Sequence, residues 1–176
     1  MSIREIVKYP DPRLRNEAES VAEVDGAVRD ILNDMVDTMY AAPGLGLAAP
    51  QVGIAQRLIV VDVGDDEESG RQGRLYKLVN PEIVNRSGEI EFEEGCLSIP
   101  SIREYVRRSA SVTVEALSES GSPLTIEAEG LLAVCLQHEI DHLNGVLFID
   151  HLSRLKRELI KGKISKMSDT PRSKRL

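Results

Sequence analysis

The stretch Leu131-Leu132-Ala133-Val134-Cys135-Leu136-Gln137-His138-Glu139-Ile140-Asp141-His142 organises the reading of the whole chain. It follows Gly130 and is apolar on several sides, which predicts a helix from Leu131 to about Leu143 buried inside a sheet-rich fold. Residues 138 and 142 lie four apart and so stack on one helical face, where both imidazoles can reach a single metal ion. Glu139 is offset around the helix and free to act on a metal-bound water. Two histidines and an acid placed there by chance would leave uncompensated charge in a core, which is costly.

Working outward, Ser111 to Leu117 and Leu124 to Ala128 flank the turn-like Ser118 to Pro123 and predict a β-hairpin. Arg57 to Val63 reads as a buried strand, and Tyr76 to Val84 resumes strand character around Asn80-Pro81. Ile90-Glu91-Phe92-Glu93 alternates before Gly95 and Pro100 impose strand ends and turns. Asp65 to Gly70 forms an exposed acidic tip. The spacing of Val28, Ile31, Leu32, Met35, Val36 and Met39 predicts a helix over 25–41, stopping before Pro43-Gly44. Gly44 to Gly53 is too rich in Gly and Pro for regular structure and reads as a tightly shaped loop. Leu152, Leu155, Leu159, Ile160, Ile164 and Met167 predict a C-terminal amphipathic helix with a basic outer face. The elements together give an α+β fold: antiparallel or mixed sheets around a central metal-binding helix, with an N-terminal and a C-terminal helix.

A length of 176 residues suits one compact domain without disulfides. We read residues 1–150 as the catalytic unit and 151–176 as a basic helix and tail packed on it or extending from it. With no Trp and two Phe, the core must be filled by Val, Ile, Leu and Ala, and aromatic stacking on nucleic-acid bases is not expected. Sequence-specific nucleic-acid binding is therefore not expected. No apolar run spans a bilayer and the N-terminus lacks the apolar core of a signal peptide, so a cytoplasmic protein without a membrane partner is expected. The net charge of −7 is unevenly spread: 9 Lys and Arg against 2 Asp and Glu from His151 to Leu176 give +7 there, leaving −14 on residues 1–150. Such a tail is either a solvated helix face or a contact for an RNA-rich surface.

A catalytic tetrahedral site needs three protein ligands and an open position, so a third ligand comes from elsewhere. Candidates are His151, Cys135, Cys96 or a carboxylate. Cys135 shares the helical stripe but sits one turn before His138 and two from His142, which is far along the axis for a short side chain; a place in a pocket wall suits it better. His151 follows a chain reversal and reads as a surface residue. Cys96, after Gly95 in a bend beside a strand, can be aimed at a metal, although a buried structural Cys is the common case. Gly44-Leu45-Gly46-Leu47-Ala48-Ala49 matches a relaxed dinucleotide pattern, but a helix precedes it and Pro50 follows, so the glycines are better read as admitting a ligand near the backbone, with Gln51 offering an amide donor.

Three segments, Gly44-Leu45-Gly46-Leu47-Ala48-Ala49-Pro50-Gln51, Glu94-Gly95-Cys96-Leu97-Ser98 and Gln137-His138-Glu139-Ile140-Asp141-His142, resemble in order the signature motifs of the bacterial peptide deformylases. The similarity runs from Pro10-Asp11-Pro12-Arg13-Leu14 to Gly145-Val146-Leu147-Phe148-Ile149-Asp150. This resemblance implies removal of formate from N-formylmethionine of nascent chains, with Cys96, His138 and His142 holding one divalent metal per chain. Iron(II) is implied natively, with zinc, nickel or cobalt as substitutes and no organic cofactor. It assigns proton transfer to Glu139, as base toward the metal-bound water and then as acid toward the departing amine. Stabilisation of the formyl oxygen falls to the Gln51 side chain and the Leu97 N–H. The methionine side chain is assigned to Leu45, Phe92, Leu131, Val134 and Cys135, with the edge of His138. Leu45 and Gly95 are backbone partners for the peptide, Gly46 is a further substrate-binding residue, and Arg103 lies near the entrance. The resemblance also pairs Asp141 with Arg108 and permits a ribosome contact through the basic C-terminal helix.

Two other readings share parts of the pattern. A general zinc endopeptidase carries the same helical motif but draws its third ligand from a downstream His or Glu, and Cys96 argues against it. A structural metal site would fill the fourth position with protein; the retained Glu139 argues against that.

Overall fold

A computed structural model of the protein describes residues 2–65, 67, 68, 70 and 72–168. Helix α1 spans Gly26–Ala41; the Asp25 side chain caps it by accepting the Val28 N–H at 3.0 Å, and Val28, Leu32, Met35 and Met39 are buried along one face. Strands β1 (Gly46–Ala48), β2 (Leu58–Val61), β3 (Tyr76–Ser87), β6 (Ser111–Leu117) and β7 (Pro123–Glu129) form one antiparallel sheet in the order β1-β2-β3-β6-β7. Strands β4 (Ile90–Cys96) and β5 (Ile99–Arg108) form a separate antiparallel pair. Helix α2 spans Gly130–Leu143 and helix α3 spans Arg154–Ser168.

Gly130 stands at φ +59, a left-handed conformation that lets the chain turn from β7 straight into α2. Leu132, Ala133, Leu136, Ile140 and Leu143 of α2 join Ile59, Val61, Leu78, Val112, Val114 and Ile126 of the large sheet in one core. The sheet therefore wraps one side of the helix. The other side meets the second layer, where Ile99, Ile102, Val106 and Phe148 pack. A helix enclosed in this way must satisfy its buried polar groups internally. Gln137 does so: its Nε2 donates to Ser109 O at 2.9 Å and Ala133 O at 3.0 Å, and its Oε1 accepts the Ser109 N–H at 3.1 Å.

Two local expectations are corrected, and one strand was not foreseen. Residues 44–53 are not wholly irregular: Gly46–Ala48 is a strand paired with β2, because Leu47 and Ala48 are fully buried and the sheet supplies partners for their backbone. The long strand β5 has no clean alternation to announce it, since Ser101 at φ +68 and a register shift at Gly95/Cys96 break the period of two. Of the apolar positions predicted for the C-terminal helix, only part is buried, Leu152 before α3 and Ile160 within it, with Ile164 half-buried. Ile160 is 3% exposed, but Leu155 and Leu159 are 71% and 58% exposed, because the helix touches the body only along one narrow edge with Ile160 and Ile164. Residues 169–176 of the basic tail lie outside the described residues.

Candidate metal centre and peptide cleft

The helical spacing brings His138 and His142 to one face of α2, with ring centroids 5.0 Å apart. The hairpin of β4 and β5 carries Cys96 to them, and the metal-ligating atoms of Cys96, His138 and His142 lie within 4.8 Å of one another. Among the described residues this is the only group of three or more His, Cys, Asp or Glu side chains gathered closely enough to hold a metal. Cys96 Sγ is 3.4 Å from His142 Nε2. Burial alone would push the Cys96 thiol up, but the charges of His142 and His138 and their hydrogen bonds outweigh it and hold the thiol well below its ordinary value. The thiolate is the form that ligates.

His138 has its other nitrogen occupied. Nδ1–H donates to Glu94 Oε1 at 2.9 Å, which leaves Nε2 for a metal and fixes the ring plane. Phe148 stacks on the same ring at 6.0 Å between centroids. Glu94 is in turn clamped by Arg108, with Nε on Oε2 at 2.8 Å and Nη2 on Oε1 at 2.9 Å, both side chains being 4% exposed. Burial pushes Glu94 up, but Arg108 and His138 prevail and keep it an anion. Arg108 Nη1 also donates to Asp141 Oδ2 at 2.6 Å, and His151 Nε2 meets that same oxygen at 2.8 Å. Removing one member of so buried a pair leaves a naked charge, typically at about 3–5 kcal/mol. Composition and spacing gave no hint of this role for Glu94. Its only signal is its place beside Gly95-Cys96, and the need of a ligating imidazole for an acceptor behind it.

Glu139 faces the trio from the same helix. Its Oε2 is buried without a hydrogen-bond partner. Burial raises its pKa, His138 and His142 pull it back, and Cys96 and Glu94 push it up again, for a net rise. A carboxylate of raised pKa with an idle lone pair is equipped to take a proton from a small donor. Gly46 faces it closely: a Cβ at that position would lie 2.7 Å from Glu139 Oε1, so any larger residue would displace the acid.

Gln51 is fully oriented. Its Oε1 accepts the Ala48 N–H at 2.9 Å, which forbids an amide flip, and its Nε2 donates to Ser98 Oγ at 3.1 Å and points at Cys96 Sγ, 3.6 Å away. A cavity of about 660 Å³ opens over these groups. It is bounded by Leu45, Gly46, Gln51, Phe92, Gly95, Cys96, Leu97, Arg103, Leu131, Val134, Cys135, His138 and Glu139. Every residue assigned in the sequence to the metal, the proton transfers or the peptide borders this cavity apart from His142, which is 1% exposed, whereas Arg108, Asp141 and His151 do not line it. Arg103 is held at the rim by Glu93 at 3.2 Å. Cys135 is in the cavity wall, and burial pushes its thiol up to about 12, so it is neutral there. A depression of similar size, about 670 Å³, over Thr113, Glu127 and Glu129 is bordered by no His or Cys; chemistry, not size, distinguishes the two.

The three donors fit a divalent metal: two imidazoles, one thiolate, tautomer control behind His138, and fewer ligands than a closed structural site requires. Comparison with known proteins points the same way. The family profile described as polypeptide deformylase matches residues 3–158. A protein of Alkalilimnicola ehrlichii named peptide deformylase is 52% identical over 167 residues, covering 95% of this chain and 92% of that one. The crystal structure of peptide deformylase from Ehrlichia chaffeensis in complex with actinonin superposes with a TM-score of 0.91 at 42% identity, covering 97% of this chain and all of the other. A peptide deformylase from Legionella pneumophila does so at 0.86 with 49% identity, with coverage of 97% and 100%.

Proposed function

The chain belongs to the polypeptide deformylase family, and from that premise and the site we infer how it works. It is a metallohydrolase that removes the formyl group from N-terminal N-formylmethionine and releases formate. The observation that carries our reading of the machinery is the convergence of Cys96, His138 and His142 beside the partnerless Glu139 oxygen.

Cys96, His138 and His142 would hold the metal, which we take to be iron(II) natively, with zinc, nickel or cobalt as substitutes. When bound, it supplies Lewis-acid polarisation and a more acidic water. Glu139 accepts a proton from the attacking water and later delivers one to the departing methionine amine. Charge gathering on the formyl oxygen is met by the Gln51 Nε2–H and the Leu97 N–H. The Gln51 amide is held by Ala48 and Ser98, so it needs little reorganisation as the charge develops. Phe92, Leu131, Val134, Cys135 and Leu45 take the methionine side chain. Leu45, Gly46 and Gly95 accept the extended peptide as an added strand, with Arg103 at the entrance.

Residues 1–150 form the catalytic unit in this reading, and 151–176 an appended basic segment, the whole acting in the cytoplasm on nascent chains without a membrane partner. Support for a ribosome contact is that Arg154, Lys156, Lys161, Lys163 and Lys166 are exposed on α3 beside Leu155 and Leu159. Deleting residues from Lys161 onward is expected to weaken salt-sensitive ribosome binding and spare turnover of short formyl-Met peptides. Co-sedimentation at graded salt measures this, and binding equal to the full chain would remove the idea. The reaction itself is tested by anaerobic incubation of the metal-loaded protein with a formyl-Met peptide. Stoichiometric formate is expected; internal cleavage of unformylated peptides without formate would instead favour an endopeptidase.

A further inference from the structure

The N-terminal segment crosses both loops that supply the donors to the formyl oxygen. Three consecutive residues bind them: Val7 N–H donates to Gln51 O at 2.7 Å, Lys8 Nζ to Leu97 O at 2.8 Å, and Tyr9 N–H to Ser98 O at 2.8 Å. The middle contact is the only one made by a side chain. Lys8 is exposed and reaches over the cavity rim, beside Ile6.

What Lys8 holds is mechanically special. Cys96 pairs with Ile99, so Leu97 and Ser98 are the two central residues of a tight hairpin turn, and Leu97 O is the carbonyl of its central peptide. That peptide is the soft coordinate of a tight turn: rotating it changes only ψ of the first central residue and φ of the second, the difference between common turn types. Here such a rotation would swing Ser98, whose Oγ holds Gln51 Nε2, and would loosen the turn directly after the residue that carries the Leu97 N–H. An ammonium on the carbonyl makes a charge-assisted bond that opposes the rotation.

We propose that Lys8 is a positioning residue for deformylation: it locks the central peptide of the Leu97–Ser98 turn and thereby holds both the Leu97 N–H and the Gln51 amide in place. This rests on the reading above that those two groups receive the developing charge. Lys8 acts through them and touches neither the reacting carbon nor the metal ligands.

The test compares Lys8→Met, Lys8→Arg and Gln51→Ala in metal-loaded protein. Loss of one donor outright costs about 10²–10³ in kcat, so loosening both is expected to lower kcat about tenfold in Lys8→Met, with KM within about twofold. Metal content and thermal midpoint should stay at the parent values, since the side chain is exposed. Lys8→Arg should recover most of the rate, and amide exchange at Ser98 should quicken in Lys8→Met alone. A Lys8→Met enzyme with parental kcat, or one whose defect lies in KM, overturns the role. If Gln51→Ala lowers kcat while Lys8→Met does not, the donor assignment stands and only Lys8 is wrong. If Gln51→Ala is itself silent, the donor assignment fails and takes the role of Lys8 with it.

Discussion

Glu139→Gln is expected to lower kcat for a formyl-Met peptide by about 10⁴-fold, the upper end for general acid–base catalysis, while binding metal normally. The size follows from the number of proton transfers the residue serves. In the proposed cycle the same carboxylate takes a proton from water and returns one to the amine, and no other titratable group borders the cavity without a competing duty. His138 and His142 are committed as ligands, Glu94 is locked to Arg108, and Cys135 holds its proton up to about 12. Gln matches Glu in shape, so the close approach of Gly46 is preserved and packing gives no reason for collapse. Steady-state kinetics beside metal analysis decides it. A variant retaining metal and a kcat within tenfold of the parent would show that the base lies elsewhere.

Cys96→Ala is expected to weaken metal binding by roughly 10²–10³-fold, because binding energies of about 10–16 kcal/mol in thiolate and imidazole sites are shared among three or four ligands. Cys135→Ala should leave the affinity within a few-fold, since a neutral thiol in an apolar wall offers no charge to a cation. Its effect should fall on KM, through the methionine pocket. Competition against a chelator of known affinity, with zinc or cobalt as the reporter, separates the two. The opposite ordering would overturn the ligand assignment.

These predictions rest on groups that were unequally legible in the sequence. The helices α1 and α2 announce themselves through period, and the spacing of His138 and His142 is a purely local fact. Cys96 is a different case. It stands 42 residues before His138 and reaches it only because the β4–β5 hairpin folds over α2, so spacing left it among several candidates until the three motifs were read together. Strand β1 was hidden because its partners are supplied by β2, not by its own composition. The pairing of Glu94 with Arg108 was opaque for a related reason: a charged residue on a strand reads as solvent-facing, and here both are buried because each neutralises the other. Cys135 was legible by subtraction, being too far along the helix axis to ligate and left with packing as its use.

Strand β1 is an edge of the large sheet and β4 is an edge of the small one, and both border the cleft. An edge that must admit a strand-shaped guest cannot be blunted with Pro or roofed by a helix, the usual defences against sticking to other copies. Colloidal stability therefore falls to charge: the Glu93–Arg103 pair beside the opening, exposed Glu91, and the surplus of −14 on residues 1–150. Dispersion of this protein in solution is tied to its catalytic architecture, and high salt or acidification, by weakening that repulsion, is expected to promote contact between copies at the doorway meant for substrate, which light scattering at graded salt would detect.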